Sequence, residues 1–215
     1  MTSLPPGTLL ILGAWLLPLL RRPWREAWLV ALPLLSLAHM LAAHPDGTIV
    51  SCSWFELTLT PIRVDRLSLV WGGIFHVAAA LAALYAITDR DDVRDVSALT
   101  YAGSAIAAVF AGDLLTLFVF WELTAITSVF LVWIGKSPRA YAAGFRYLLV
   151  QVGSGVLLMA GAMFHYQQTG SLDFGGLAET GVFTGQQGWG ARLILLSFGI
   201  KAAFPLLHMW LPDAY

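Results

Sequence analysis

The sequence predicts an all-α protein, a polytopic membrane helix bundle with about seven transmembrane helices, a broken seventh helix and the N-terminus outside. Three observations carry that prediction. Of the 215 residues, 58% are hydrophobic and 12% charged, against roughly 25% charged in an average globular domain. The few charges gather between long uncharged runs, each close to the roughly 20 apolar residues that cross a bilayer. The basic residues also fall in alternate gaps between those runs, as the positive-inside rule requires of a chain that weaves through a membrane.

The runs are Met1 to Leu20, Ala27 to Ala43, Leu67 to Thr88, Val96 to Gly112, Leu114 to Gly135, Tyr147 to Leu172 and Leu193 to Pro212. Arg21, Arg22 and Arg25 follow the first run, Arg90 and Arg94 the third, Lys136 and Arg139 the fifth. These odd-numbered gaps therefore lie inside, and the even-numbered gaps, poorer in basic residues, lie outside. The first run has no positive charge before its apolar core, so it reads as a retained helix and not as a cleaved signal peptide. Between the second and third runs, residues 44–65 are too polar to be embedded, and ELTLTPIRVD alternates apolar and polar side chains as a half-buried strand does. An external hairpin is expected there. The DRDDVRD cluster reads as a solvated turn on the inner side. The glycine-rich stretch from Gly170 to Gly190 reads as an external loop with a short surface helix near Leu177. The chain thus divides into three N-terminal helices with their hairpin, residues 1–95, and a helical segment over 96–215.

Composition excludes several functions. With 12 Lys+Arg against 13 Asp+Glu, the net charge is -1, so no basic face is available to neutralise phosphates and nucleic acid is not an expected partner. Cys52 is the single cysteine, which leaves no disulfide framework and no cysteine-based metal or iron–sulfur site within the chain. No metal, no cofactor and no catalytic chemistry are expected of the chain itself. His39 and His76 are lone histidines on apolar helices, and a haem between them is the weaker reading beside satisfied core residues. The Gly153–Ser154–Gly155 triplet lacks the G-x-S-x-G pattern of a nucleophile and reads as a close helix-packing surface.

Two charges stand where charge is costly, about 2.5 to 3.5 kcal/mol at a helix centre. Glu122 lies nine residues after Asp113 and fourteen before Lys136, and its helical face, from Leu115 and Phe118 to Ile126 and Val129, offers it no partner. That partner must come from another helix, from water or from a proton. Lys201 lies nine residues after Arg192 and twelve before Asp213. Pro205, four residues on, cannot donate to the Lys201 carbonyl, and Pro212 likewise leaves that of His208 free, so the helix should break at its charge. Ser197, Lys201 and His208 fall on one stripe, at spacings of four and seven, a polar path along a broken transmembrane helix of the kind that proton transfer needs. Burial and a nearby carboxylate act in opposite senses on a lysine's proton, so a change in that carboxylate switches the lysine between holding and releasing it. Glu122, Lys201 and His208 are the expected proton-transfer residues. Arg146, near the start of the sixth helix, and Ser197 are second-tier candidates.

The strings DLLTLFVFWELTAITSVFLVWI, around Glu122, and KAAFPLLHMWLPDAY, from Lys201 onward, resemble the antiporter-like subunits shared by respiratory complex I, membrane-bound hydrogenases and Mrp-type cation/proton antiporters. FRYLLVQVGSGVLLMAG resembles that family's sixth helix. The resemblance covers about residues 96 to 215 and implies that Glu122 is the family's helix-five glutamate and Lys201 its broken-helix lysine. The ending LPDAY looks most like the MrpD-type branch of the Mrp-type antiporters. It implies a subunit taking part in proton translocation, with sodium/proton antiport in a multisubunit complex of a bacterial inner membrane as the first expectation. A proton-pumping subunit of a complex I-like quinone oxidoreductase or hydrogenase is the alternative, and a structural scaffold the third. Family members carry two inverted repeats, and this chain resembles only their front half. A split subunit or a fragment is expected, and not a complete channel.

Overall fold

The computed structural model describes residues 4–55, 57–174 and 188–214. Each of the seven apolar runs contains a helix, and a two-stranded hairpin interrupts them. Among the described residues, four helices are long and apolar enough to cross a membrane: α2 (Trp24–Ala43), α3 (Arg66–Ala86), α5 (Leu114–Trp133) and α6 (Pro138–Thr169). The others are α1 (Thr8–Ala14, followed by a 3-10 turn at Leu17–Leu19), α4 (Asp92–Val109), α7 (Trp189–Lys201) and α8 (Leu211–Ala214). The hairpin, β1 (Ile49–Trp54) and β2 (Leu57–Arg63), lies within the expected 44–65 segment, with Phe55 in the left-handed region at its turn. The surface helix expected near Leu177 lies outside the described residues.

The helices form two compact units, Met1–Val50 with Ile62–Ala111, and Ser51–Pro61 with Gly112–Tyr215. The division thus falls after Ala111 and not at 95–96, because α4 packs on α1. Gly7 and Gly103 touch backbone to backbone there, and a Cβ on Gly103 would lie 2.7 Å from the Gly7 carbonyl. Leu10, Leu17, Leu29, Met40, Ile106 and Phe110 fill the first unit's core. Asp65 and Ser68 cap α3 reciprocally, each side chain bonding the other's backbone amide at 2.7 and 2.8 Å. The Ser68 amide holds the Asp65 carboxyl below the usual carboxylate range.

The acidic cluster that runs into the start of α4 is only in part the solvated turn that its charges suggest, for Asp89 and Arg90 are exposed but Asp95 is buried. Arg25, 2% exposed, turns inward from α2 and meets Asp95 at 2.7 Å and Asp92 at 2.9 Å, and Arg94 reaches the other Asp95 oxygen at 2.9 Å. Paired charge can be buried where lone charge cannot. His76 is satisfied on both ring nitrogens, by Ser36 Oγ at 2.9 Å and the Gly72 carbonyl at 2.7 Å. Neither nitrogen is left to ligate haem.

In the second unit, Asp113 is fully buried and fastens three segments. Its carboxylate accepts the Thr116 amide and hydroxyl at the start of α5, and the Thr60 amide of β2 at 2.7 Å. The Leu114 amide donates to Leu172 beyond α6. Ser137 caps α6, whose 32 residues run from Pro138, nine before the expected Tyr147, to Thr169, and Gly170 follows as its cap in the left-handed conformation. At about 48 Å it is longer than a bilayer core requires. Gly161 and Gly190 let α6 and α7 cross closely, each lacking room for a Cβ against the other's carbonyl.

The Arg25–Asp95 pair makes a stability prediction. Asp95→Ala leaves a buried guanidinium short of a partner and should cost about 3 kcal/mol, whereas Arg25→Met combined with Asp95→Leu should come within about 1 kcal/mol of the parent. Unfolding in detergent with increasing denaturant measures both.

Candidate functional site

Glu122 occupies the middle of α5, whose side chains are apolar on almost every face. Its carboxyl group turns toward α6 and lies on Gly155, where a Cβ would fall directly on Oε1. That oxygen is buried and has no hydrogen-bond partner among the described residues. The glycine is therefore what admits the acid into the seam. Of the predicted Gly153–Ser154–Gly155 packing surface, Ser154 and Gly155 meet the neighbouring helices, whereas nothing lies within 4 Å of a Cβ at Gly153.

Lys201 arrives from α7. Its Nζ donates to the Trp121 carbonyl at 3.3 Å and stands 5.0 Å from the centroid of the Trp121 ring, within cation–π range. No ion pair joins it to Glu122 among the described residues, although each of the two charges acts electrostatically on the other. The lysine thus rests on the peptide that precedes the glutamate. An ammonium has three donors, and this is its one hydrogen bond among the described residues.

Trp121 organises the site, and the sequence reading missed it because an indole in an apolar helix carries no charge to mark it. Its ring packs edge-on against Phe198 of α7, with centroids 5.1 Å apart, and its Nε1 donates to Ser154 Oγ at 3.3 Å. Ser154 Oγ donates in turn to the Gln151 carbonyl, and its own carbonyl takes the Ser197 hydroxyl at 2.6 Å. Ser197 therefore locks α7 to α6 one turn before Lys201.

The break after Lys201 takes a form that the proline spacing did not show. Helix α7 ends at Lys201, and Ala203 and Leu206 both adopt positive φ, at 55° and 75°. Such residues cost of order 1–3 kcal/mol each. The Phe204 amide closes on Gly199, and the Ile200 carbonyl accepts both the Ala203 amide and Trp210 Nε1. The His208 carbonyl, expected free, accepts the Leu211 amide at 2.9 Å. The stripe from Ser197 through Lys201 does not reach His208, which is exposed beyond the turns. Pro205 lies within those turns and Pro212 in α8. Arg146 pairs with Asp213 of α8 at 3.0 Å, and Tyr147 beside it stacks edge-on with Trp210 and bonds Ser128 at 2.6 Å. Among the described residues no group of three or more His, Cys, Asp or Glu side chains is placed to hold a metal ion.

Comparison with known proteins falls on this region. Residues 111–215 match the family model described as NADH:quinone oxidoreductase/Mrp antiporter, TM. The chain is 32% identical over 177 residues to NADH-quinone oxidoreductase subunit N 1 of Sorangium cellulosum, covering 74% of this chain and 34% of that one. It is 28% identical over 193 residues to NAD(P)H-quinone oxidoreductase chain 4 of a Synechococcus species, covering 81% and 35%. The fold is that of a chain in the Mrp complex from a Dietzia species, with TM-score 0.81 at 24% identity over 97% of this chain and 24% of that one. A chain of respiratory complex I from Thermus thermophilus gives 0.76 at 21% identity, covering 97% and 46%. The chain spans about a third of the length of these two curated relatives.

The seam geometry predicts a coupling. Gly155→Ala should cost about 1–3 kcal/mol through overpacking, and Glu122→Ala, which removes the side chain it strikes, should recover most of that loss in a double-mutant cycle of thermal unfolding.

Proposed function

Since residues 111–215 match the family model described as NADH:quinone oxidoreductase/Mrp antiporter, TM, we propose that the chain is a proton-translocating membrane subunit that works in sodium/proton antiport within a multisubunit complex. The observation that carries this reading is the Glu122 carboxyl group, held in an apolar seam with an unpaired buried oxygen, one residue from the carbonyl on which Lys201 rests. A structural ion pair would close on itself. Here neither partner is used up by the other, so each can take or give a proton.

The chemistry then runs on two charges. With Glu122 ionised, its field favours the protonated amine of Lys201. When Glu122 is neutralised, that support goes and Lys201 releases its proton. The helix ends at Lys201, so the proton meets turn backbone and not a closed helix, and His208, exposed beyond those turns, would receive it only through an intervening carrier. Ser197 holds α7 in register with α6, and Arg146 with Asp213 fixes the segment beyond the break. Pro205, among the turns, keeps that segment from joining α7, and Pro212 lies in the first turn of α8. Other subunits of the complex supply the rest of the path, in the inner membrane of a bacterium.

A second reading has its own support, because the Sorangium relative is named for a quinone oxidoreductase. In it the same residues move protons and electron transfer elsewhere drives them. Co-purified dehydrogenase or hydrogenase subunits would favour that reading, and small antiporter subunits the first.

In membrane vesicles carrying the intact assembly, Lys201→Ala should lower proton-coupled transport by at least about a hundredfold, in line with the loss of an acid–base group. Insertion should remain normal. Lys201→Arg should not restore transport, because a guanidinium does not release its proton. Glu122→Gln should keep the fold and slow transport. Full flux in Lys201→Ala vesicles would leave only a scaffold role for these charges.

A further inference from the structure

Gln151 is a buried polar side chain of the same helix seam that the proposed reading leaves without a task. It is 1% exposed, and neither its amide nitrogen nor its amide oxygen has a hydrogen-bond partner among the described residues. A primary amide offers two donor hydrogens and an acceptor oxygen, and buried polar groups are paired with protein or with water in nearly all native structures.

Its position follows from the register of α5 against α6. The two helices run antiparallel, with Glu122 on Gly155 and Ser128 bonded to Tyr147. The paired numbers sum to nearly the same value, so Gln151 lies opposite Ala125, which is fully buried and offers no polar side-chain atom. Tyr147, Gln151 and Gly155 follow one another at intervals of four on the buried face of α6. Gln151 is thus one turn from the carboxyl group and one turn from the Ser128–Tyr147 hydroxyl pair, about 6 Å along the axis in each direction. One side chain and one water molecule span such a step, and a buried water typically makes about three hydrogen bonds. The unpaired Glu122 oxygen and the unpaired amide are the two partners that such a water needs, and the hydroxyl pair continues the line toward the end of the bundle that carries Lys136 and Arg139.

We infer that Gln151 holds an ordered water between the Glu122 carboxyl group and the Ser128–Tyr147 hydroxyl pair, and so positions the proton contact of Glu122 on that side. The inference rests on the proposed proton-carrying role of Glu122. Gln151 itself neither gains nor loses charge.

The test uses the intact assembly with Gln151→Leu, which keeps the volume and removes the hydrogen bonding, and Gln151→Met as a second variant of similar length. Two readouts are taken: transport, and the infrared carbonyl stretch of protonated Glu122, assigned by its disappearance in Glu122→Gln. The expected result is normal accumulation, transport at least tenfold slower, and a Glu122 band moved to higher frequency by the loss of its water. Parent-like transport with an unmoved band would overturn the inference while leaving the role of Glu122 intact. Parent-like transport in Glu122→Gln would instead overturn the underlying reading. If neither Gln151 variant accumulates, the amide serves packing and the inference fails.

Discussion

The Glu122 carboxyl group reaches the α5–α6 seam only because Gly155 has no side chain to meet it, and the site in the second unit depends on that contact. An acid in hydrocarbon must receive from the protein every interaction that water would have given it. In this seam it does not receive all of them. One oxygen has no partner among the described residues, and Lys201 settles on the adjacent peptide carbonyl and not on the carboxylate, so the two charges do not close into an ion pair. Trp121 makes this arrangement specific: its carbonyl takes the ammonium, its ring faces it, and its indole N–H ties α5 to Ser154.

Charge is handled differently elsewhere in the chain. In the first unit Arg25 and Asp95 are nearly inaccessible but fully paired, and Asp113 in the second unit spends its carboxylate on two amides and a hydroxyl. Those groups hold helices and strand ends in place. Paired charges of this kind fix structure, whereas Glu122 and Lys201 stand close without closing, which suits them to change protonation. The strain after Lys201, with Ala203 and Leu206 at positive φ, lies just beyond the lysine of this pair.

The parts of this organisation that were legible in the sequence are those that a charge or a proline marks. Helices are written as long uncharged runs, and Glu122 and Lys201 stand out inside them. The hairpin is visible in the alternation of ELTLTPIRVD. Proline spacing located the break at Lys201 but not its form, because the helix stops there and turns take over, which removes His208 from the stripe. DRDDVRD looked solvated because a sequence does not show that Arg25, some seventy residues earlier, folds onto Asp95. Trp121, Ser154 and Gln151 act through an indole, a hydroxyl and an amide, and such groups in an apolar helix look like any other part of its wall. The Arg146–Asp213 pair, 67 residues apart, has no local signature at all.

Coupling between the two central charges is the claim on which the account rests, and the protonation of Glu122 is its most direct observable. Infrared titration of the Glu122 carboxyl band in the intact assembly, with and without Lys201→Ala, measures it. The account predicts that the midpoint of the Glu122 transition moves when the lysine is removed, while Arg25→Met with Asp95→Leu, which replaces the paired charges of the first unit, leaves it in place. An unchanged midpoint in Lys201→Ala would mean that the two groups do not sense one another, and would contradict the account.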